Sequence, residues 1–367
     1  MKKIYYIYLL FVSLAASFLA SCNDWTETEA ESFPEGFTSD EYYAALRAYK
    51  QTKHQVAFGW YSGWNAEGAF MKTSLAGIPD SMDIVSIWDN GLQISEAQKR
   101  DMEFVRKVKG TKIIYCAIID NIGKNMTPPS ATENWQEKGY ANQQAAVYDF
   151  WGWPKDETDT EAIENAIRTY ARAIADTLSK YNYDGFDIDY EPNYGYAGNM
   201  AGHKDRMKVF IEELGKFFGP KSGTGRLLVV DGEPQNMPSE AGPYLDYFII
   251  QAYSCSGDAN LNSRLAGLVA NYNGVMDAEE VTNKLIMTEN FEAVDVAMNG
   301  GYDFTDSYGN KMKSLEGMAR WTPNNGFGKA GVGVYRMEAE FGTNPEYKNM
   351  RNAIQIMNPS SHILIKY

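Results

Sequence analysis

Histidine and cysteine are both scarce in this chain, and their scarcity argues against several kinds of site. The 367 residues include three His and three Cys. His54, His203 and His362 lie far apart, without the spacing of a zinc site or a Ser-His-Asp triad. Beyond the amino-terminal region only Cys116 and Cys255 remain, too few for a disulfide framework. We therefore predict no metal site and no cofactor.

Basic residues are also in deficit. The chain has 34 Lys and Arg against 48 Asp and Glu, a formal net charge of −14. This balance argues against a nucleic-acid partner, because phosphate binding requires clustered Lys and Arg. The 44% hydrophobic and 14% aromatic content instead indicates a globular protein with a sizeable core.

Long apolar runs are missing except at the amino terminus. After it, no stretch stays apolar for the roughly 20 residues that a membrane-spanning helix requires. The first 22 residues combine two Lys, an apolar run and small residues, which is typical of an export signal. Residues 19–22, Leu-Ala-Ser-Cys, resemble a bacterial lipobox in which Cys22 becomes the lipidated first residue. An ordinary cleaved signal with an incidental Cys is the alternative.

The segment behind Cys22 is polar and acidic, and it resembles the surface-export tags of Bacteroides-type lipoproteins. We predict a lipoprotein signal peptide over residues 1–21, a tether over 22–38 and one folded domain over 39–367. The predicted location is the outer membrane, with the folded domain exposed at the cell surface. Membrane attachment would then occur only through the lipid on Cys22.

From about residue 54 onwards, short apolar runs alternate with longer amphipathic segments. Helical periodicity covers residues 95–110, 159–181 and 203–219. The strand-like runs are 55–61, 83–88, 112–119, 184–190, 226–231, 247–253, 284–289 and 330–337. Eight strands alternating with helices predict an α/β fold, a single-domain (β/α)8 TIM barrel. A doubly wound open sheet is the alternative, but no G-x-G-x-x-G turn follows the first strand.

The fourth run carries four acids in DGFDIDYE, residues 184–191. Because side chains alternate along a strand, Asp187, Asp189 and Glu191 share one face, which points into the barrel and towards its carboxyl-terminal mouth. Closely packed buried carboxyls raise at least one pKa, and a carboxyl that stays protonated near neutral pH can act as a general acid. A cation site and a solvated loop are the alternatives, which the apolar residues between the acids disfavour.

This segment resembles the D-G-x-D-x-D-x-E motif of glycoside hydrolase family 18, on the fourth barrel strand. The resemblance covers roughly residues 50–360 and implies retaining, substrate-assisted hydrolysis beside N-acetylglucosamine. It implies that Glu191 is the general acid and that Asp189 orients the 2-acetamido group. Asp187 would share a proton with Asp189. Tyr253, at the end of the sixth strand, would hydrogen-bond the acetamide oxygen.

Further residues are predicted to bind substrate. Asp184 would support the start of the motif, and Gln251 shares a strand face with Tyr253. Aromatic residues near the strand ends suit the C–H faces of sugar rings. The predicted substrate-binding residues are Asp184, Gln251, Tyr335, Trp88 and Tyr194.

Several positions depart from the chitinases of this family. The third strand reads CAIIDN instead of a Ser-x-Gly-Gly run, residues 251–254 read Gln-Ala-Tyr-Ser instead of Met-x-Tyr-Asp, and Tyr335 replaces a Trp. No α+β insertion is evident before the last strand. These differences resemble the endo-β-N-acetylglucosaminidase branch, which cuts the chitobiose core of N-glycans.

The predicted partners are therefore N-glycans or other N-acetylglucosamine-containing glycans, together with other glycan-uptake proteins. Two alternatives stay open. One is a chitinase-like hydrolase of β-1,4-N-acetylglucosamine oligomers. The other is a non-catalytic glycan-binding barrel, against which the presence of Glu191 argues.

Overall fold

The computed structural model describes residues 39–68, 71–89 and 91–359. Cys22, the predicted signal peptide and the predicted tether lie outside the described residues. The chain divides into residues 1–42, of which only 39–42 are described, and a compact unit over residues 43–367. In the described part of the chain, no helix is both long enough and apolar enough to cross a bilayer.

Eight parallel strands close into a barrel, which confirms the predicted (β/α)8 fold. The described strands are β1 Val56–Tyr61, β2 Ile84–Ile87, β3 Lys112–Ile118, β4 Gly185–Tyr190, β5 Leu227–Gly232, β6 Tyr247–Gln251, β7 Leu285–Asn290, β8 Asp303–Thr305, β9 Lys311–Lys313 and β10 Gly331–Tyr335. Strands β1 to β7 neighbour one another in chain order, and β10 closes the barrel between β7 and β1. Every predicted strand run overlaps one barrel strand.

Helices follow the barrel strands and cover their outer face. The described α-helices are α1 Ser39–Lys50, α2 Glu96–Phe104, α3 Pro129–Thr132, α4 Gln143–Trp151, α5 Thr160–Lys180, α6 Lys204–Leu214, α7 Asp258–Tyr272, α8 Ala278–Asn283, α9 Val294–Asn299, α10 Ser314–Arg320 and α11 Lys348–Met357. The predicted helix over 95–110 begins after a capping box made by Ser95 and Gln98 and ends in a π-helical turn, Val105–Lys109. The predicted helix over 203–219 is shorter than expected. It ends before Gly215, where an added Cβ would lie 2.4 Å from the Tyr244 ring.

The apolar and acidic side chains of β4 lie on opposite faces of the strand, as their alternation in the sequence predicts. Phe186, Ile188 and Tyr190 are buried against the helices. The opposite faces of the strands fill the barrel with apolar side chains, among them Phe58 and Ile249. Burying each large side chain of this kind stabilises the fold by about 1.5–3 kcal/mol. The barrel is therefore a packed core below its mouth, and polar groups inside it need a specific reason.

Asp184 lies at the amino end of β4, away from the mouth of the barrel. Its carboxylate accepts hydrogen bonds from Arg106 Nε at 2.6 Å and Nη2 at 2.5 Å, and from the backbone N–H of Ile113 at 2.9 Å. These bonds tie β4 to the start of β3. This placement agrees with the predicted support of the motif but is inconsistent with Asp184 binding substrate, because the sites of barrels lie at the other end of the strands.

We expect Arg106→Met to lower the free energy of unfolding by about 2 kcal/mol, because it leaves the partly buried Asp184 carboxylate without its charged partner. Urea denaturation measures this change. The control is Lys107→Met, whose side chain is 74% exposed and pairs with Glu103 on the surface. Binding of the glycans that the sequence predicts as partners should be the same for the folded Arg106→Met protein and the wild type. A loss of binding without a loss of stability would contradict the structural role.

The segment between β7 and β10 contains structure that the sequence analysis missed. Strands β8 and β9 pair as a short antiparallel hairpin, and Thr305 of β8 also bridges to Gly257 after β6. The segment after β3 carries α3 and α4, and its Trp151 and Trp153 are buried. Both segments follow the carboxyl ends of barrel strands.

Candidate active site

A cavity of about 180 Å³ opens at the carboxyl-terminal mouth of the barrel. Side chains at the ends of seven barrel strands or in the segments after them meet there. Its lining is Trp60, Trp88, Ile118, Asp189, Glu191, Tyr196, Asp231, Gln251, Tyr253 and Tyr335. The cavity therefore joins a carboxyl-rich floor to aromatic walls.

Six of the residues predicted from the sequence meet in this cavity: Asp189, Glu191, Gln251, Tyr253, Trp88 and Tyr335. Asp187 is fully buried one step deeper on the same face of β4. Tyr194 is 74% exposed and lines a neighbouring cavity of about 200 Å³ that shares Gln251. The structure does not bring Asp184 to either cavity.

Asp187 is held at the floor by two donors. Its Oδ2 accepts hydrogen bonds from Trp60 Nε1 at 2.9 Å and from Ser86 Oγ at 2.7 Å. Burial raises the pKa of Asp187, and the hydrogen bond from Ser86 opposes that rise. Within the described residues, its Oδ1 has no hydrogen-bond partner. Asp187 is therefore held in a fixed position beneath Asp189.

Asp189 faces a second acid, Asp231, across the β4–β5 register. Burial raises the pKa of both carboxyls well above the usual range. At Asp189 the charges of Glu191 and Asp187 raise the pKa further. At Asp231 the charges of Asp189 and Asp187 do the same. Gln251 Nε2 donates to Asp231 Oδ1 at 3.0 Å. Asp187 and Asp189 were predicted to share a proton; Asp231, a third member of this group of acids, was not predicted.

Glu191 is the outermost acid of β4 and is half-buried. Burial raises the pKa of its carboxyl; a hydrogen bond with Gln251 lowers it and the nearby charge of Glu233 raises it. The net direction is upwards, so Glu191 stays protonated at a higher pH than an ordinary Glu does. A protonated carboxyl that faces a cavity is the group that a general acid requires.

Aromatic rings form the walls of the cavity. The Tyr335 ring centroid lies 6.2 Å from that of Trp60, 6.1 Å from that of Trp88 and 6.3 Å from that of Tyr253. Burial raises the pKa of the Tyr253 hydroxyl well above its usual range, so this hydroxyl remains a hydrogen-bond donor. Trp60 was not predicted as a site residue, although alternation places it with Phe58 on the inward face of β1.

The backbone at Ser254, the residue after Tyr253, is held by a buried acid at the end of β7. Ser254 adopts a left-handed conformation with φ of 57°. Glu289 Oε1 accepts hydrogen bonds from the backbone N–H of Ser254 and of Asn290, each at 2.8 Å. Glu289 thereby fixes the turn that carries Tyr253. No motif in the sequence pointed to this role, because the contact joins residues 35 positions apart.

One buried group of side chains has the atoms of a metal site. Among the described residues, the Cys116 sulfur and one oxygen each of Asp187 and Asp231 lie within 4.8 Å of one another. Burial raises the pKa of the thiol and of both carboxyls, which disfavours the loss of their protons. A cation requires deprotonated ligands. We therefore interpret this group as a proton-sharing cluster.

Comparisons with known proteins agree with this geometry. The family model "Glycoside hydrolase family 18, BT1044-like" matches residues 21–356. Endo-β-N-acetylglucosaminidase F2 of Elizabethkingia meningoseptica is 25% identical over 339 residues, covering 86% of this chain and 85% of that protein. The solved structure of a selenomethionine, Glu-to-Gln variant of BT1044 is 31% identical with a TM-score of 0.74, covering 90% of this chain and 95% of that one. The apo endo-β-N-acetylglucosaminidase of Cordyceps militaris, at 19% identity, shares the fold with a TM-score of 0.59, covering 88% and 98%.

Proposed function

This chain belongs to glycoside hydrolase family 18, and on that premise we propose that it is an endo-β-N-acetylglucosaminidase that cleaves the chitobiose core of N-glycans. One observation carries the proposal. Asp189 Oδ1 is a buried acceptor with no hydrogen-bond partner among the described residues, in the same cavity as Glu191 and Tyr253. The 2-acetamido N–H of N-acetylglucosamine matches this acceptor, and the acetamide oxygen matches the Tyr253 hydroxyl.

The first step is cleavage with help from the substrate. The sugar lies against the aromatic walls, and its acetamide N–H donates to Asp189. The acetamide oxygen then attacks C1 while Glu191 donates its proton to the glycosidic oxygen, so that the C1–O bond breaks and the leaving group departs neutral. The positive charge of the resulting oxazolinium ring is stabilised by the Asp189 carboxylate beside its nitrogen, while the proton that Asp187 and Asp189 share lies on Asp187.

The second step uses the same residues in reverse. Glu191, now a carboxylate, takes a proton from a water molecule, and the water oxygen attacks C1 on the face that the leaving group left. The bond between C1 and the acetamide oxygen breaks, which restores the acetamide. Two inversions at C1 give retention of configuration. The pKa of Glu191, raised by burial, suits it to both roles.

We further propose that the enzyme is an outer-membrane lipoprotein that faces the outside of the cell. The support is the sequence alone: the lipobox-like residues 19–22 and the acidic segment behind Cys22. A protein of this kind would act on glycans before uptake, beside other glycan-uptake proteins. Radiolabelled palmitate incorporation that is lost in Cys22→Ala tests the anchor, and protease accessibility on whole cells tests the orientation.

The experiment that tests the activity is mass spectrometry of products. The soluble protein lacking residues 1–22 is incubated with N-glycoproteins that carry high-mannose, complex or hybrid glycans, and separately with chitin oligomers. We expect released glycans that are one N-acetylglucosamine short and a protein that keeps that sugar. The Glu191→Gln protein, incubated in parallel, excludes contaminating activity.

Two other outcomes would overturn the proposal. Cleavage of chitin oligomers without release of N-glycans would assign the chain to the chitinase-like hydrolases. Binding without cleavage of any substrate would make it a glycan-binding barrel. The open cavity beside Glu191 argues against the second outcome, since a lectin-like barrel would have this position blocked or replaced.

A further inference from the structure

Strands β4 and β5 are each followed into the next turn by the same pattern, Asp-x-Glu-Pro. Residues 189–193 read DYEPN and residues 231–236 read DGEPQN. The two strands pair with Asp189 opposite Asp231 and Tyr190 opposite Gly232, so Glu191 and Glu233 follow at equivalent positions. In both copies a 3-10 turn begins at the Pro. The barrel therefore carries two Asp-x-Glu-Pro corners side by side.

The backbones of the two corners also match. Glu191 has φ of −131° and ψ of 54°, and Glu233 has φ of −117° and ψ of 57°. Neighbouring strands lie roughly 5 Å apart, so the two acids leave their strands next to each other. Gly232 allows this close approach: a Cβ there would lie 2.8 Å from Glu191 Cγ.

Although the corners match, the two carboxyls have different surroundings. Glu191 lines the catalytic cavity, whereas Glu233 is 6% exposed and is occupied by three N–H donors. Glu233 Oε2 accepts from the backbone N–H of Asn193 at 2.8 Å, and Oε1 accepts from Asn193 Nδ2 and from Asn236 Nδ2, each at 3.0 Å. The β5 corner therefore holds the β4 corner two residues beyond Glu191.

We propose that Glu233 is a positioning residue for Glu191, which fixes the corner that carries the general acid and keeps a negative charge beside it. This inference rests on the proposed function only in so far as Glu191 is the general acid. Glu233 itself donates no proton, because its hydrogen bonds come from N–H groups that require it to accept. The first corner performs the chemistry, and the second holds it in place.

The charge of Glu233 has a defined effect on Glu191. Burial is the largest cause of the raised pKa of Glu191; the hydrogen bond with Gln251 opposes it, and the charge of Glu233 adds to it. Around the cavity the titratable or charged groups include Asp187 and Asp189 on β4, Asp231 on β5, Tyr253 after β6, Tyr335 on β10, and Lys124 and Tyr196 in the segments after β3 and β4. Arg264 of α7 lines the neighbouring cavity together with Glu233. None of these groups touches the Asn193 corner as Glu233 does.

The test is Glu233→Gln, which removes the charge at nearly constant size. Hydrolysis by the wild type falls as pH rises through the pKa of Glu191, because the acid must be protonated. Without the neighbouring charge that pKa is lower, so we expect the alkaline limb of the kcat profile to move by roughly 0.5–1 pH unit towards acid. We also expect kcat to fall about tenfold at constant KM, since the corner is less well held. If the alkaline limb of the kcat profile lies at the same pH in Glu233→Gln and the wild type, the electrostatic part of the proposal is wrong.

Two further variants separate charge from position. Asn193→Ala keeps the Glu233 charge but removes one of its donors, so kcat should fall while the limb stays in place. Wild-type kcat in Asn193→Ala overturns the positioning role, even where Glu233→Gln does not fold. The matched control is Glu240→Gln. The Glu240 carboxylate is exposed, lies in the segment after β5 and pairs with Lys208. This variant should have the kcat and the alkaline limb of the wild type.

A measurement without substrate distinguishes this inference from the proposed function. The pKa of Glu191 is read from the 13C shift of its side-chain carboxyl, assigned by the signal that disappears in Glu191→Gln. A lower pKa in Glu233→Gln but not in Glu240→Gln supports the coupling even where no glycan is released. An unchanged pKa overturns the coupling even where N-glycans are hydrolysed.

Discussion

Glu191→Gln is expected to reduce glycan hydrolysis by at least about 10³-fold in kcat, while the dissociation constant for an intact N-glycan changes little. The amide has the size of the carboxyl and can still accept a hydrogen bond from Gln251, but it has no proton to give the leaving oxygen. A loss of 10³ corresponds to about 4 kcal/mol of transition-state stabilisation. Mass-spectrometric product formation and calorimetric binding measure the two quantities.

The leaving group provides an internal check on that role. An aryl glycoside with an acidic phenol departs without protonation, so the first step should recover in Glu191→Gln and appear as a burst of phenol. The second step should remain slow, because the amide cannot accept the proton of the attacking water. Glu240→Gln, an exposed carboxylate away from the cavity, should leave both steps unchanged. Full glycan hydrolysis by Glu191→Gln would refute the assignment of the general acid.

The barrel and the acids of β4 could be predicted from the sequence because each depends on local periodicity. A strand repeats every two residues, so the inward direction of Asp187, Asp189 and Glu191 follows from the apolar character of the residues between them. Those apolar residues are fully buried against the helices, as expected. The same rule places Gln251 near Tyr253 at the end of the sixth strand.

What could not be predicted depends on contacts between distant parts of the chain. Asp231 joins the acid cluster only because the β4–β5 register sets it opposite Asp189. Trp60 reaches Asp187 across 127 positions, and Glu289 reaches Ser254 across 35. Asp184 occupies the first position of the motif but lies at the amino end of β4, where it binds Arg106. Substrate binds at the carboxyl ends of barrel strands, so Asp184 is too far from the mouth to contact it. Register and closure of the barrel are tertiary information that periodicity does not contain.

The arrangement of the acids bears directly on substrate assistance. In retaining glycosidases of the usual kind, a second carboxylate attacks C1 itself. Here the acid that shares the cavity with Glu191 on β4 is Asp189, which is buried with a pKa well above its usual range because of burial and then the charges of Glu191 and Asp187. A protonated carboxyl is a poor nucleophile, but the free oxygen of Asp189 can accept a hydrogen bond from an amide, and Asp189 becomes an anion once the shared proton lies on Asp187. This arrangement supports the proposal that the substrate acetamide supplies the nucleophile.

Asp189→Asn is therefore expected to lower kcat by about 10²–10³-fold while Glu191 is still present. Asn keeps one acceptor oxygen, but it cannot become the negative charge that stabilises the oxazolinium ring. Substrates whose acetamide is progressively fluorinated give the decisive measurement: wild-type rates should fall steeply as the acetamide oxygen becomes a weaker nucleophile. Asp246→Asn makes the same chemical change at the amino end of the barrel, where the carboxylate binds the Leu228 N–H at 2.8 Å, and should keep the wild-type kcat. Wild-type rates in Asp189→Asn, or rates that are insensitive to fluorination, would exclude substrate assistance and require a nucleophile from the protein.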